Sequence, residues 1–190
     1  VRLGQGVDRT GRLDPAATDR TVDAVVEYDS MLRTLGASAV RFVATSATRD
    51  AHNRQEFVDA VRSVLGIEPE VVEGTEEASL SFRGAVSGLG GQVEAPMLVV
   101  DIGGGSTELV LGDSRVRQAI SIDMGAVRVT EKFFAECDPE QGIPEADQRR
   151  AIEWIDEQLD DAERAVDLDR VKALVGVAGT VTTLTAQALG

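Results

Sequence analysis

Two periods of hydrophobic residues alternate along the chain. After Asp14-Pro15, an acidic N-cap with proline at the first helical position, Val22, Val25, Val26, Leu32 and Leu35 recur on one helical face, and Gly36 closes that helix. Residues 39–44 (AVRFVA) form a short β-rich run. The stretch 46–65 reads as a second helix, with Phe57, Val58, Val61 and Leu65 on its apolar side and Gly66 at its end. Residues 67–73 follow as a strand. The stretch 75–89 follows as a third helix, whose opening Thr75, Glu76 and Glu77 suit the positive end of the helix dipole. Helix, strand, helix, strand, helix is the order of an α/β layer.

Residues 88–96 (GLGGQVEAP) read as the best linker in the chain. Beyond it, MLVVDI (97–102) is a continuous apolar run of the kind buried on both faces. Residues 108–112 and 116–122 are strand-like, and 125–134 and 145–166 are helical, the latter with Ile152, Ile155 and Leu159 in register. LVGVA (174–178) is another buried strand, and Gly179 opens a last helix. The pattern predicts two α/β layers of similar size, residues 1–92 and 93–190, with no short-period repeat. The chain starts at Val1 and ends at Gly190, and both ends read as cut rather than natural.

Composition narrows the class. Of 190 residues, 43% are hydrophobic and 27% charged, which argues for a globular fold and against disorder, and aromatics at 4% leave the core to Val, Leu, Ile and Ala. No apolar run approaches the roughly 18 residues of a membrane helix, and no signal peptide is visible, so no membrane partner is expected. The single cysteine, Cys137, cannot close an internal bridge, and a reduced, cytoplasmic setting is expected. A net charge of −14, from 19 basic and 33 acidic residues, speaks against nucleic acid as a partner. An anionic substrate would have to be held against this field by backbone N–H groups, a metal or a few arginines.

The strongest local signal is Asp101-Ile102-Gly103-Gly104-Gly105-Ser106-Thr107-Glu108. Three glycines between two apolar strands exceed the needs of a turn and expose successive amides, an anion-binding nest. A strand follows them, and there is no Gly-Lys-Ser/Thr, so this is neither a Walker loop nor a dinucleotide fingerprint. Asp101, at the end of a buried strand, needs a cation or hydrogen-bond donors, and a hard ion such as Mg²⁺ would meet that need; Glu108 is a candidate for the same shell. A second glycine turn, Gly176-Val177-Ala178-Gly179-Thr180, runs from strand to helix and presents helix N-terminal amides.

Two further corners carry chemistry. In Glu73-Gly74-Thr75-Glu76-Glu77-Ala78, adjacent glutamates on a helix point about 100° apart, so one of them can face a cleft and deprotonate a water. Residues 45–53 (TSATRDAHN) offer Arg49 and Asn53 for phosphate, or an ordinary helix start. The lone His52 and lone Cys137 give little support to a zinc site or a Ser-His-Asp triad.

These segments together resemble the exopolyphosphatase/guanosine pentaphosphate phosphohydrolase family. The resemblance rests on VATSATRDAHN (43–53), VVEGTEEA (71–78), LVVDIGGGSTELVLG (98–112), DMGAVRVTE (123–131) and GVAGTVTTL (176–184), in family order and over nearly the whole chain. It implies the actin/hexokinase/Hsp70 superfamily architecture: α/β, two RNase H-like domains, and a phosphate-binding cleft between them. By motif match, Glu77 takes the catalytic position, Asp101 and Glu108 the metal-side carboxylates, and Gly103, Gly104, Gly105, Ser106 and Thr107 the phosphate loop. Arg49 and Asn53 match channel-lining residues, and Gly179 and Thr180 the distal turn. The implied cofactor is Mg²⁺ or Mn²⁺ and the implied substrate inorganic polyphosphate, with guanosine penta- or tetraphosphate as the alternative and a homodimer left open. The family's first phosphate loop, Asp-x-Gly-(Ser/Thr)-Asn-Ser, has no counterpart here. The N-terminal domain is therefore expected to lack its first strands, and the second its C-terminal part. Ser79 stands where many relatives carry arginine.

Three functions follow as expectations. One is a hydrolase that removes terminal phosphate through a Glu77-activated water. Another is an alarmone-binding module with little turnover. The third, an actin-like structural protein, fits the paired glutamates poorly.

Overall fold

The computed structural model of the chain describes residues 1–89, 91–138 and 140–190; of the expected linker, Gly90 lies outside the described residues. The fold is α/β, and it divides into two compact units, Val1–Glu73 and Gly74–Gly190. The division falls ahead of the helix expected at 75–89, not behind it. That helix, α5 below, buries Ala78 and Phe82 against Met97, Val99 and Val110, so its apolar face is satisfied only by the second unit.

In the first unit, a one-turn helix α1 (Val7–Thr10) precedes α2 (Pro15–Thr34), whose predicted cap is present: the Ala17 N–H donates to Asp14 Oδ1 at 2.9 Å. The stretch expected as one helix over 46–65 is two, α3 (Ser46–Asp50) and α4 (Arg54–Leu65). Tertiary hydrogen bonds cause the break. The His52 N–H goes to Gly11 O (2.8 Å) instead of back along the helix, and the Asn53 side chain is turned onto Leu13. Strands β1 (Val43–Ala44) and β2 (Glu70–Val71) pair in parallel and are much shorter than expected, since residues 39–41 are exposed. Leu13, Val25, Phe57 and Val61 centre this unit's core.

The second unit is a four-stranded sheet with helices on both faces. After α5 (Gly74–Leu89) come β3 (Met97–Ile102), β4 (Thr107–Gly112) and β5 (Val116–Ile122), then helices α6 (Ala126–Phe133) and α7 (Glu145–Ala165), strand β6 (Ala173–Val177) and α8 (Ala178–Leu189). The strand order is β5-β4-β3-β6, with antiparallel hairpins on one side of β3 and β6 parallel to it on the other. Strand alternation sends Met97, Val99 and Val110 to α5, and Leu98, Leu109 and Leu111 to α7. Gly112 is fixed by space: a Cβ there would lie 2.6 Å from Phe82 Cζ and 2.3 Å from Arg115 O.

Candidate phosphate-binding site

The parallel pair β3 and β6 ends in register, Asp101 opposite Val177. Both predicted glycine turns therefore leave the same edge of the sheet, the carboxyl edge, where open α/β sheets bind their ligands.

The Gly103–Ser106 tip is clamped from behind by α6. The Ala126 N–H donates to Gly103 O (2.9 Å), and the Val127 and Arg128 N–H groups donate to Gly104 O (2.9 and 3.1 Å). In a planar trans peptide the N–H points opposite to the C=O. Anchoring the carbonyls of Gly103 and Gly104 on α6 thus turns the amides of Gly104 and Gly105 the other way. Helix α6 packs with α7, while Asp101 and Glu108 belong to the opposite, α5, face of the sheet. The amides consequently look toward the side that carries the carboxylates. Ser106 and Thr107 are buried, and the Thr107 hydroxyl donates to Met124 O (2.5 Å). Thr107 therefore holds the hairpin with its side chain.

Asp101 and Glu108 are direct partners across β3 and β4. Side chains of opposed residues stand on one face with Cβ atoms about 5 Å apart. Glu108 is only 1% exposed, an environment that a carboxylate tolerates when donors reach it. The Ser121 hydroxyl donates to Glu108 Oε1 (2.7 Å), and the Ser81 hydroxyl to Asp101 Oδ2 (2.5 Å). Ser81 lies four residues after Glu77 on α5, so both occupy one helical face, about 6 Å apart along the axis. Of the two glutamates at the start of α5, Glu76 is exposed and Glu77 half-buried with Oε2 shielded from solvent. Sequence reasoning passed over Ser81 and Ser121. The i+4 spacing from Glu77 was the available signal for the first, and for the second only the sheet register identifies Glu108 as its partner.

The oxygen donors of Asp101 and Glu108 suit a hard divalent cation. No group of three His, Cys, Asp or Glu side chains able to hold a metal forms among the described residues, so such an ion would complete its shell with phosphate oxygens and water. At the second turn the left-handed residue is Ala178 (φ +68°). Gly179 is exposed, with no atom within 4 Å of where a Cβ would stand, which leaves the start of α8 open to a ligand.

Arg49 and Asn53 belong to the first unit and hold it together. Arg49 Nη1 donates to Val72 O (3.0 Å). The Asn53 carboxamide is used at both ends on Leu13, accepting from its N–H (2.8 Å) and donating to its carbonyl (3.2 Å). Asn53 thereby ties Leu13 to the residue just ahead of α4. His52 is exposed and rests on Gly11. Cys137 sits beside Asp147, and desolvation together with that carboxylate pushes its thiol up.

Residues 1–189 match the Ppx/GppA phosphatase family. Exopolyphosphatase 2 of Mycobacterium tuberculosis is 47% identical over 193 residues, covering 99% of this chain and 59% of that protein. A solved exopolyphosphatase-like protein superposes with a TM-score of 0.94 at 45% identity, over 100% of this chain and 58% of the other. An exopolyphosphatase structure from Cytophaga hutchinsonii gives 0.84 at 31% identity, over 97% and 58%. The chain thus spans a little under three fifths of the length of these relatives.

Proposed function

Because the chain belongs to the Ppx/GppA phosphatase family, we propose that the protein is an exopolyphosphatase, which releases terminal phosphate from inorganic polyphosphate. What supports the reading is one arrangement: main-chain amides turned away from α6, toward the sheet face that bears Asp101 and Glu108, at the edge where Glu77 and Ser81 share a face of α5.

In this mechanism the amides of the hairpin tip receive oxygens of the terminal phosphoryl group. The opening amides of α8 at Gly179 and Thr180 receive oxygens further along the chain. Neither group of donors needs a lysine, so the protein binds a polyanion locally despite its net charge of −14. Glu77 accepts a proton from a water and aims the oxygen at phosphorus in line with the bridging oxygen. The P–O bond to the bridge breaks, orthophosphate leaves, and the shortened chain carries away the bridging oxygen. Asp101 and Glu108 would hold Mg²⁺ or Mn²⁺, kept in place by the hydroxyls of Ser81 and Ser121. Such an ion, when bound, offsets charge on the phosphoryl oxygens.

The test is phosphate release by the full-length protein from long-chain polyphosphate and, separately, from guanosine pentaphosphate, with and without chelator. Release from polyphosphate that stops with chelation and returns with Mg²⁺ or Mn²⁺ is expected. Release from guanosine pentaphosphate alone would move the substrate to the alarmone, and release from neither would end the hydrolase reading.

A further inference from the structure

The segment DMGAVRVTE (123–131), whose amides clamp the hairpin tip, also sends a side chain to it. Gly125 is buried, and a Cβ there would lie 2.4 Å from Gly104 O and 2.7 Å from Gly105 N. Its backbone is extended (φ −150°), so close approach to the hairpin, not conformation, calls for glycine. The amides that follow it take the carbonyls of Gly103 and Gly104, as described above. The third carbonyl of the tip, Gly105 O, lies beyond the backbone of α6 and is met by a side chain: Arg128 Nε donates to it at 2.8 Å. The Arg128 side chain is 18% exposed, with the exposed Asp123 carboxylate 3.9 Å from Nη2.

We infer that Arg128 is a positioning residue for the phosphate loop, fixing the Gly105–Ser106 peptide so that the Ser106 N–H becomes the third amide offered to the phosphoryl group. The inference rests on the phosphate reading above. Peptide planarity does the work: with Gly105 O held on the α6 side, the Ser106 N–H faces the other way, alongside those of Gly104 and Gly105. The donor is the Nε–H, one hydrogen bond from a charged group to a neutral carbonyl. Without it this peptide is free to rotate, and one amide of the nest is lost.

The experiment follows the amide resonances of Gly104, Gly105 and Ser106 in the full-length protein as inorganic pyrophosphate is added with chelator present. In the wild type all three are expected to shift together. In Arg128→Met, which keeps the apolar stem, the Ser106 response is expected to vanish while Gly104 and Gly105 still respond, with pyrophosphate bound about tenfold more weakly. Arg128→Gln places a neutral N–H the same number of bonds from the backbone as Nε and is expected to restore the Ser106 response. It also keeps the test open should the methionine variant fail to fold. No response from any amide in the wild type would overturn the phosphate reading. A wild-type response that survives unchanged in Arg128→Met would overturn the role of Arg128 alone. A glutamine variant as deficient as the methionine one would also overturn it, because the charge and not the hydrogen bond would then be the agent.

Discussion

The two glycine turns leave neighbouring strands at one edge of the sheet, yet they are built in opposite ways. The first, at Gly103–Ser106, is held by its carbonyls: α6 and Arg128 grip one side of three successive peptides, and Gly125 exists to let the helix come close enough. The second, at Gly176–Thr180, carries its strain in a single residue, Ala178 at φ +68°, and leaves Gly179 with open space around it. One turn uses glycine so that the protein can approach its own backbone. The other packs Gly176 closely against Val181 but leaves Gly179, at the start of α8, with no atom within 4 Å of a Cβ position. The same residue type therefore marks a rigid cradle in one place and an unobstructed entrance in the other, and only the neighbouring atoms distinguish them.

The contrast can be broken at several points. The largest effect is expected at Glu77, whose face of α5 reaches the first turn through Ser81 and Asp101. Glu77→Gln in the full-length protein should lower phosphate release about 10²-fold or more while leaving pyrophosphate binding in place. Wild-type turnover in that variant would remove Glu77 from the mechanism. Gly125→Ala comes next. The methyl group meets backbone that cannot rotate aside, so a loss of about 1–3 kcal/mol in denaturant unfolding is expected, together with weaker pyrophosphate binding. If the variant is as stable as the wild type, the close packing of α6 on the hairpin does not hold in solution.

At the second turn the signs reverse. Ala178→Gly relieves a left-handed alanine and should stabilise the protein by up to about 1 kcal/mol. Gly179→Ala meets no atom and should leave stability unchanged or raised by a few tenths of a kcal/mol, while weakening pyrophosphate binding if the ligand comes as close as proposed. Unchanged binding would take Gly179 out of the site.

The smallest effect lies at the other end of the hairpin from the glycine tip. The Arg117 guanidinium donates to Asp113, and this hydrogen bond, aided by the Arg115 N–H, holds the Asp113 carboxyl below the usual carboxylate range. A depressed folded value means that the contribution is present above the ordinary value of about 3.9 and is lost as pH falls through the folded one. Arg117→Ala should move the Asp113 titration midpoint, followed by NMR, back toward that ordinary value without altering phosphate release. Because both groups lie in solvent, an unmoved midpoint would mean that the contact seen here is transient in solution.

The amino-acid sequence by itself determined the elements whose signals are local. Among them are the Asp14-Pro15 helix start, the apolar run of β3, the triple-glycine hairpin after it, and a single inward glutamate of the pair at the head of α5. Each depends on residues within a turn or two of one another, where periodicity and backbone chemistry suffice. The tertiary structure alone decided the rest. It broke the 46–65 helix at residues 51–53 because Gly11 and Leu13 offered better hydrogen-bond partners. It assigned α5 to the second unit because Phe82 finds its cover there. It committed Asn53 to the fold, placed a serine on each of two opposed carboxylates, and aimed the hairpin amides by anchoring their carbonyls on α6. The partners in these contacts lie from 13 to 41 residues apart in the chain. At such separations packing selects which polar groups meet, and no local pattern in the chain records that choice.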